Sequence, residues 1–593
     1  MSNKRKTCLL LLCFGVLLYG TYLGLIPLLD PDEPVYGETA KEMLLTGDWL
    51  SPRIYGEFWY DKPPLFYWLE AISFKLFGLS TWSARLPSVL ATLITSIYLY
   101  CSSISLIGEK RARYGAFIFT SALEIIILAR SAVTDATLML SLTIALVSFL
   151  KKQYKTAYIA CGLALLAKGP IGFAFPALIV ALWMILSRKF TWKNIMSLHW
   201  TWGIPLACFI GLPWFIYMGI IHGAPFIDTF LGYHNIPRFV APEHAGKDHI
   251  WMYLVVLAAG FFPWVAAIPA ILASIRKWMH KEVMLYLMVW AGFIFMFFSL
   301  SSTQLFSYIL PMYPALSLLA GCAVADMEES GAVPLYVEIS HAFFFLLVVA
   351  ALGLAPIMPD GGPAVKIGIL IMMTGLGTIS VLALAKRRFF LFRTAQYLSA
   401  AALILSVWIL FASSVSHSFT SYAIGNRLHR ELPSGSSVYI DSFYRPSIAF
   451  YQNIYGHPLP EYSTDKQQNA RTNASEGVYL PGDSTNLRIP SGSYILVQKK
   501  SFARWPEEQK KDLHLLWQED TACFFIKGGK PIEVNEKESV MDYHFPGKLS
   551  VSPLGKSISS RHRPGRIQLC AYCQGNGRIR KLALPYYLRT LLV

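Results

Sequence analysis

Residues 8–33 read CLLLLCFGVLLYGTYLGLIPLLDPDE: twenty-two residues without a charge, then three carboxylates within four positions. A membrane-spanning helix needs roughly 20 mostly apolar residues. The run Cys8–Leu29 follows Lys4-Arg5-Lys6, is long, and lacks a small-residue cleavage site, so it is expected to stay as an uncleaved first span with its N-terminus in the cytoplasm. The carboxylates that follow it would then lie at the opposite membrane surface.

Working outward, twelve more apolar runs follow: Trp82–Ile107, Tyr114–Leu128, Ala136–Leu150, Ala157–Ala167, Pro170–Leu186, Trp200–Ile221, Ile250–Ile275, Val283–Leu300, Phe306–Val324, His341–Met358, Val365–Ala385 and Ala395–Ser413. Only 15% of the residues are charged, against about 25% in soluble domains. The expected fold class is therefore an all-α polytopic membrane protein of about thirteen transmembrane helices. The net charge of +16 does not read as a nucleic-acid surface. Short clusters of lysine and arginine follow the second, fourth, sixth, eighth and twelfth runs: Lys110-Arg111-Ala112-Arg113, Lys151-Lys152, Arg188-Lys189, Arg276-Lys277 and Lys386-Arg387-Arg388. This is the positive-inside pattern. The exit after the tenth run, Asp326 to Glu338, is the acidic exception. The cysteines are scattered, mostly inside apolar runs, and suggest small buried hydrophobes rather than disulfides.

Three regions are expected: a transmembrane catalytic domain over 1–415 with outer loops 30–81 and 222–249, a small α/β domain over 416–548 on the extracytoplasmic side, and a basic irregular tail over 549–593. In the α/β part, Ser437–Ile440, Ser493–Val497 and Ala522–Ile526 read as strands, and Pro446–Tyr451 and Pro506–Trp517 as helices. In the tail, Cys570 and Cys573 offer two ligands where a zinc site needs four. Asn473-Ala474-Ser475 is a glycosylation sequon.

Candidate chemistry gathers in the outer loops. The first carries Asp30, Asp32, Glu33, Glu38, Asp48 and Asp61-Lys62, followed by Arg85 at the start of the second span. The second carries His222, His234, His244 and His249. Arg130, Asp135 and Lys168 sit at span ends, where a charge at membrane depth defaults to a functional role.

The ordered set Asp32-Glu33, Tyr36, Glu38, Gly47-Asp48-Trp49, Asp61-Lys62-Pro63-Pro64 and Arg85-Leu86-Pro87-Ser88 resembles the bacterial aminoarabinose lipid A transferases and their relatives in the protein O-mannosyltransferase superfamily, which have the GT-C membrane fold. Further matches are Arg130 with Thr134-Asp135, Lys168-Gly169-Pro170, His234-Asn235 with Arg238-Phe239, Gly260-Phe261-Phe262-Pro263-Trp264, and Tyr308-Ile309-Leu310-Pro311 with Tyr313-Pro314-Ala315. The resemblance implies a glycosyltransferase in the cell (inner or plasma) membrane. It would pass a sugar from a polyprenyl-phosphate donor of the undecaprenyl type to a lipid A, glycolipid or protein acceptor at the extracytoplasmic face, with inversion, and no nucleic acid would be involved. Asp32 and Glu33 would be the catalytic carboxylates. Lys62, Arg85, Lys168 and Arg238 would bind the donor phosphate. Asp61 and His234 would hold a divalent metal, zinc, magnesium or manganese. Relatives often carry Arg at Val35 and Lys at Gln304; both differences argue against the aminoarabinose system itself. The competing class is a transporter or flippase of lipid-linked sugar, which would be expected to show internal repeats and mid-span charges; neither is evident here.

Overall fold

The computed structural model describes residues 3–233, 251–355, 362–433, 436–440, 445–459, 489–503, 505, 507–519 and 522–528. The chain opens with α1 (Asn3–Gly20), whose helix ends well before the expected Leu29. Residues 21–31 turn instead, because their carbonyls are claimed from the side: Arg85 donates to the oxygens of Leu23, Ile26 and Pro27 at 2.9, 2.9 and 3.2 Å. The first outer loop then forms α2 (Asp32–Thr46), a short hairpin of β1 (Arg53–Ile54) and β2 (Glu57–Phe58), and α3 (Leu65–Phe77).

The bundle continues with α4 (Thr81–Ile107), α5 (Glu109–Ser121), α6 (Leu123–Ala129), α7 (Asp135–Leu150), α8 (Tyr154–Lys168), α9 (Ile171–Leu186) and α10 (Trp200–His222). It is completed by α11 (Met252–Gly260), α12 (Ala267–Trp278), α13 (Glu282–Ser299), α14 (Tyr313–Ser330), α15 (Leu335–Leu354), α16 (Gly362–Ala385) and α17 (Phe389–Phe419). Among the described residues, seven helices are long and apolar enough to cross a membrane, or eight if the bent pair α5–α6 counts as one span. The thirteen expected spans are therefore not all seen as such. The apolar runs persist, but α7 and α9 have only 16 residues each, and the run Ile250–Ile275 breaks between α11 and α12 around Pro263, which cannot extend a helix.

At one end of the bundle the acidic exception finds its explanation. Arg111 pairs with Asp326 and Glu329 at 2.9 and 2.6 Å, Lys110 with Glu328 at 3.1 Å, Lys277 with Asp326 at 3.3 Å and Arg393 with Glu328 at 3.1 Å. Asn3 donates to Glu109 at 2.6 Å beside them. The acidic exit thus lies on the same face as the N-terminus and the basic exits, and its charge is neutralised within the protein. Just above, α5 and α14 cross with backbones in contact: a Cβ on Gly321 would meet the Gly115 nitrogen at 2.4 Å. The 3-10 turn Phe306–Met312 and α14 together are almost wholly buried.

After α17 come α18 (Tyr422–Glu431), β3 (Val438–Ile440), α19 (Pro446–Gln452), β4 (His457–Pro458), β5 (Tyr494–Gln498), β6 (Leu513–Gln518) and β7 (Ala522–Lys527). The strands form one mixed sheet in the order β4-β3-β5-β7-β6. Alternate residues serve opposite faces: Val438, Tyr494, Leu496, Phe524 and Ile526 pack with Ile424, Leu428 and Ile448 of the helices, while Ile495, Val497 and Phe525 pack with Trp505. The expected helix Pro506–Trp517 is corrected. Its second half is β6, because pairing with β7 overrides the local helical tendency of Leu513-His514-Leu515-Leu516. The tail 549–593, with Cys570 and Cys573, and the sequon at Asn473 lie outside the described residues.

Candidate functional site

The first turn of α2 carries Asp32 and Glu33, where the positive end of a helix favours carboxylates. The two then part company. Glu33 meets Arg85 of α4 in a two-pronged pair, with Nε to Oε1 at 2.8 Å and Nη2 to Oε2 at 2.6 Å. Glu33 also accepts from the backbone nitrogens of Ala132 at 2.7 Å and Leu29 at 2.9 Å. A guanidinium has five N–H donors, and those of Arg85 are taken up by Glu33 and the three carbonyls of residues 23, 26 and 27. Each side chain of the pair is 5% exposed. This geometry gives Arg85 no donor for a phosphate and Glu33 no lone pair for a proton in flight. Both act as fasteners that fix the start of α2 against α4 and the α6–α7 turn.

The other acid–base pairs are arranged differently. Lys62 pairs with Asp61 at 2.6 Å, and Lys168, in the last turn of α8, pairs with Asp135, in the first turn of α7, at 2.6 Å. Their side chains keep some exposure, 17% and 19% for the first pair and 13% and 10% for the second. Lys168 also sits 4.7 Å above the ring of Tyr308. The hub is Tyr36, one turn along α2 from Asp32. Its ring packs edge-on against Phe66 at 5.3 Å and beside Tyr67 at 5.5 Å. Burial, then Tyr67 and the carboxylates of Asp61, Asp135 and Asp32, push its phenol well above the ordinary range. Residues from α2, the first loop, α7 and α8 thus converge on one polar spot: three carboxylates, two lysines and a phenol, roofed by aromatic rings.

Several residues fall elsewhere. His234 and Arg238 lie outside the described residues. Among the described residues no group of three or more His, Cys, Asp or Glu is placed to hold a metal ion, and Asp61 supplies one carboxylate toward the divalent ion the resemblance implies. His222, at the end of α10, lies 3.2 Å from the Tyr60 hydroxyl and 3.0 Å from that of Ser51, and so ties the first loop to that span. Arg130 donates to the carbonyls of Leu18 and Tyr19 at 3.0 and 3.2 Å and stacks over Trp408 at 4.7 Å, which commits it to α1 and α17. Gln304 bonds its own turn, to the Ser299 carbonyl at 3.3 Å.

Three buried acids, Glu42, Glu70 and Glu124, escaped the sequence reading. Glu124 of α6 accepts from the Tyr313 hydroxyl, with Gly260 packed against it. Glu70 of α3 is fully buried with neither carboxyl oxygen hydrogen-bonded; burial and then the Glu33 charge push it well above the usual carboxylate range. The signal for Glu124 was present: a lone acid inside the run Leu123–Ala129.

The family described as dolichyl-phosphate-mannose-protein mannosyltransferase matches residues 61–217. An undecaprenyl phosphate-alpha-4-amino-4-deoxy-L-arabinose arabinosyl transferase of Shewanella sediminis is 29% identical over 367 residues, covering 59% of this chain and 66% of its own length. The protein of the same name from an Enterobacter species is 31% identical over 335 residues, covering 54% of this chain and 59% of its own length. The match thus spans less than two thirds of these relatives. The crystal structure of ArnT from Cupriavidus metallidurans bound to undecaprenyl phosphate superposes with a TM-score of 0.70 at 20% identity, over 87% of this chain and 97% of that one. The chain is thus similar to these arabinosyl transferases in sequence over part of its length and to the ArnT structure in fold over most of it.

Proposed function

We propose that the protein is a glycosyltransferase of the inner or plasma membrane, which moves a sugar from an undecaprenyl-phosphate-type donor to a lipid A, glycolipid or protein acceptor at the extracytoplasmic face. The observation that carries this reading is the convergence of Asp32, Asp61-Lys62 and Asp135-Lys168 on Tyr36. Its support comes from relatives named for undecaprenyl-phosphate sugar transfer.

The chemistry asks for these residue types. The acceptor oxygen attacks the anomeric carbon as the bond from that carbon to the phosphate oxygen breaks, and the electron pair leaves with the lipid phosphate. In-line displacement inverts the anomeric centre. Lys62 and Lys168 stabilise the phosphate as charge develops. Asp32 takes the acceptor hydroxyl's proton, a contribution of typically 10²–10⁴-fold. If the acceptor is itself a phosphate, its oxygen is already ionised and Asp32 acts by positioning. A divalent ion would draw on Asp61 and His234; the described residues supply the first of these, and no step here passes through a metal.

The test incubates purified protein with undecaprenyl-phosphate-linked 4-amino-4-deoxyarabinose or another undecaprenyl-phosphate sugar, together with lipid A and membrane extract, and reads products by mass spectrometry. Transfer is expected, and Asp32→Asn is expected to slow it about 10²-fold or more with donor affinity little changed. Wild-type protein that translocates the lipid-linked sugar without transferring it would overturn the reading in favour of a flippase.

A further inference from the structure

Asp30 lies two residues before Asp32, yet its hydrogen-bond partners Phe419, Ser421 and Ser447 lie as far as 417 residues further on. Its backbone nitrogen donates to the Phe419 carbonyl at 2.7 Å. Its carboxylate accepts from the Ser421 nitrogen at 2.8 Å, the Ser447 nitrogen at 2.9 Å and the Ser447 hydroxyl at 2.6 Å. Arg445, buried beside it, donates to the Ser421 hydroxyl at 3.0 Å. The same short segment grips the chain on both sides of Asp30. The Leu28 nitrogen donates to the Tyr451 hydroxyl at 2.9 Å, and that hydroxyl also meets Thr81 at 2.6 Å. Further along α2, Lys41 pairs with Glu38 at 2.7 Å and donates to the Ala449 carbonyl at 2.8 Å. A Cβ on Gly37 would stand 3.0 Å from the Phe450 ring, so α2 and α19 are packed as closely as that glycine allows.

Helix α2 therefore has two working faces. Glu33, Tyr36 and Met43 look toward Arg85, Phe66 and Tyr67. Gly37, Glu38 and Lys41 look toward α19. A carboxylate in the first turn of such a helix is placed by whatever fixes the helix's entry and back, and a misplacement of about 1 Å can cost a catalyst roughly 10²-fold. We propose that residues 419–421 and 445–451 set the position of Asp32 in the transferase site, with Asp30 as the positioning residue through which they act. The inference rests on the role given to Asp32 above. It makes the region after the last span part of the reaction apparatus rather than an appendage.

The test uses the full chain in lipid nanodiscs and three readouts: sugar transfer, affinity for undecaprenyl phosphate, and hydrogen exchange along α2. In Asp30→Ala and in the milder Ser447→Ala, kcat is expected to fall about tenfold or more while affinity for undecaprenyl phosphate stays within about twofold, since Lys62 and Lys168 are untouched. Exchange of the amides of 32–46 should rise about tenfold, while that of α4, α5 and α14 stays at wild-type values. Asp30→Asn keeps an oxygen for the Ser447 nitrogen and should recover part of the lost kcat. Wild-type kcat and wild-type α2 exchange in both variants would overturn the proposal, and so would a loss of protection spread evenly over the bundle. A wild-type protein that transfers no sugar would bring down the role of Asp32 instead; α2 exchange would then still decide whether 419–421 and 445–451 hold the helix.

Discussion

Two kinds of acid–base pair meet around α2, and side by side they separate holding from reacting. The Arg85–Glu33 pair is sealed, with all five guanidinium donors used inside the protein. The Lys62–Asp61 and Lys168–Asp135 pairs are partly open and share the vicinity of Tyr36. Both sets join a cation to a carboxylate, arginine to glutamate in the first and lysine to aspartate in the second. What also differs is exposure, 5% for each side chain of the first pair against 10–19% in the lysine pairs, and a phosphate can be met only by a cation whose surroundings leave it approachable.

The largest expected effect tests the sealed pair. Arg85→Ala leaves Glu33 buried without its cation, and breaking a buried pair costs about 3–5 kcal/mol. The yield of monodisperse protein and its melting temperature should fall sharply. A stable Arg85→Ala that merely lost affinity for undecaprenyl phosphate would collapse the distinction. Next come Lys62→Ala and Lys168→Ala, which should lower turnover by about 10²-fold, the usual scale for one charge-stabilising donor. Their melting temperatures should fall less than that of Arg85→Ala, because these pairs are more exposed than the sealed one. Tyr36→Phe keeps the ring contacts with Phe66 and Tyr67 and removes the phenol amid three carboxylates. A fall in kcat of roughly tenfold with unchanged stability would place the phenol in the reaction; no change would confine Tyr36 to packing.

The smallest effect is a pH dependence on the back of α2. Glu42 accepts from the Gly56 nitrogen at 3.2 and 3.1 Å, and burial, then the nearby Glu38 charge, push its carboxyl up to about 6. A carboxyl with a raised folded-state pKa gives stability that is fully present below its unfolded value and is lost as pH rises through the folded one. Thermal stability should thus decline between about pH 4.5 and 6 through this group, and Glu42→Gln should flatten that part of the profile. An unchanged profile in Glu42→Gln would assign the dependence to other acids.

The sequence carried the membrane class, the loop that bears the site and the order of its residues, since apolar runs and charge clusters are one-dimensional signals. It could not separate Arg85 from Lys62, because the difference lies in the carbonyls of residues 23, 26 and 27, which become available only when the first helix stops at Gly20. Seven or eight of its thirteen expected spans are seen as full-length helices among the described residues, and hydropathy does not register a break such as that at Pro263. The strand β6 was hidden because its partner β7 decides its conformation. The acids Glu70 and Glu124 were passed over because burial belongs to the packed bundle, not to the chain. Asp30 was listed with its neighbours, but its attachment to Ser421 and Ser447 is a long-range fact.

The crossing of α5 and α14 has a mechanical consequence. The two helices touch backbone to backbone at their middles through Gly115 and Gly321, and toward the end carrying the N-terminus they are cross-braced by Arg111, Asp326 and Glu329. Two rods joined from one end to their middles can part only like the arms of a pair of tweezers, by flexing at the other end.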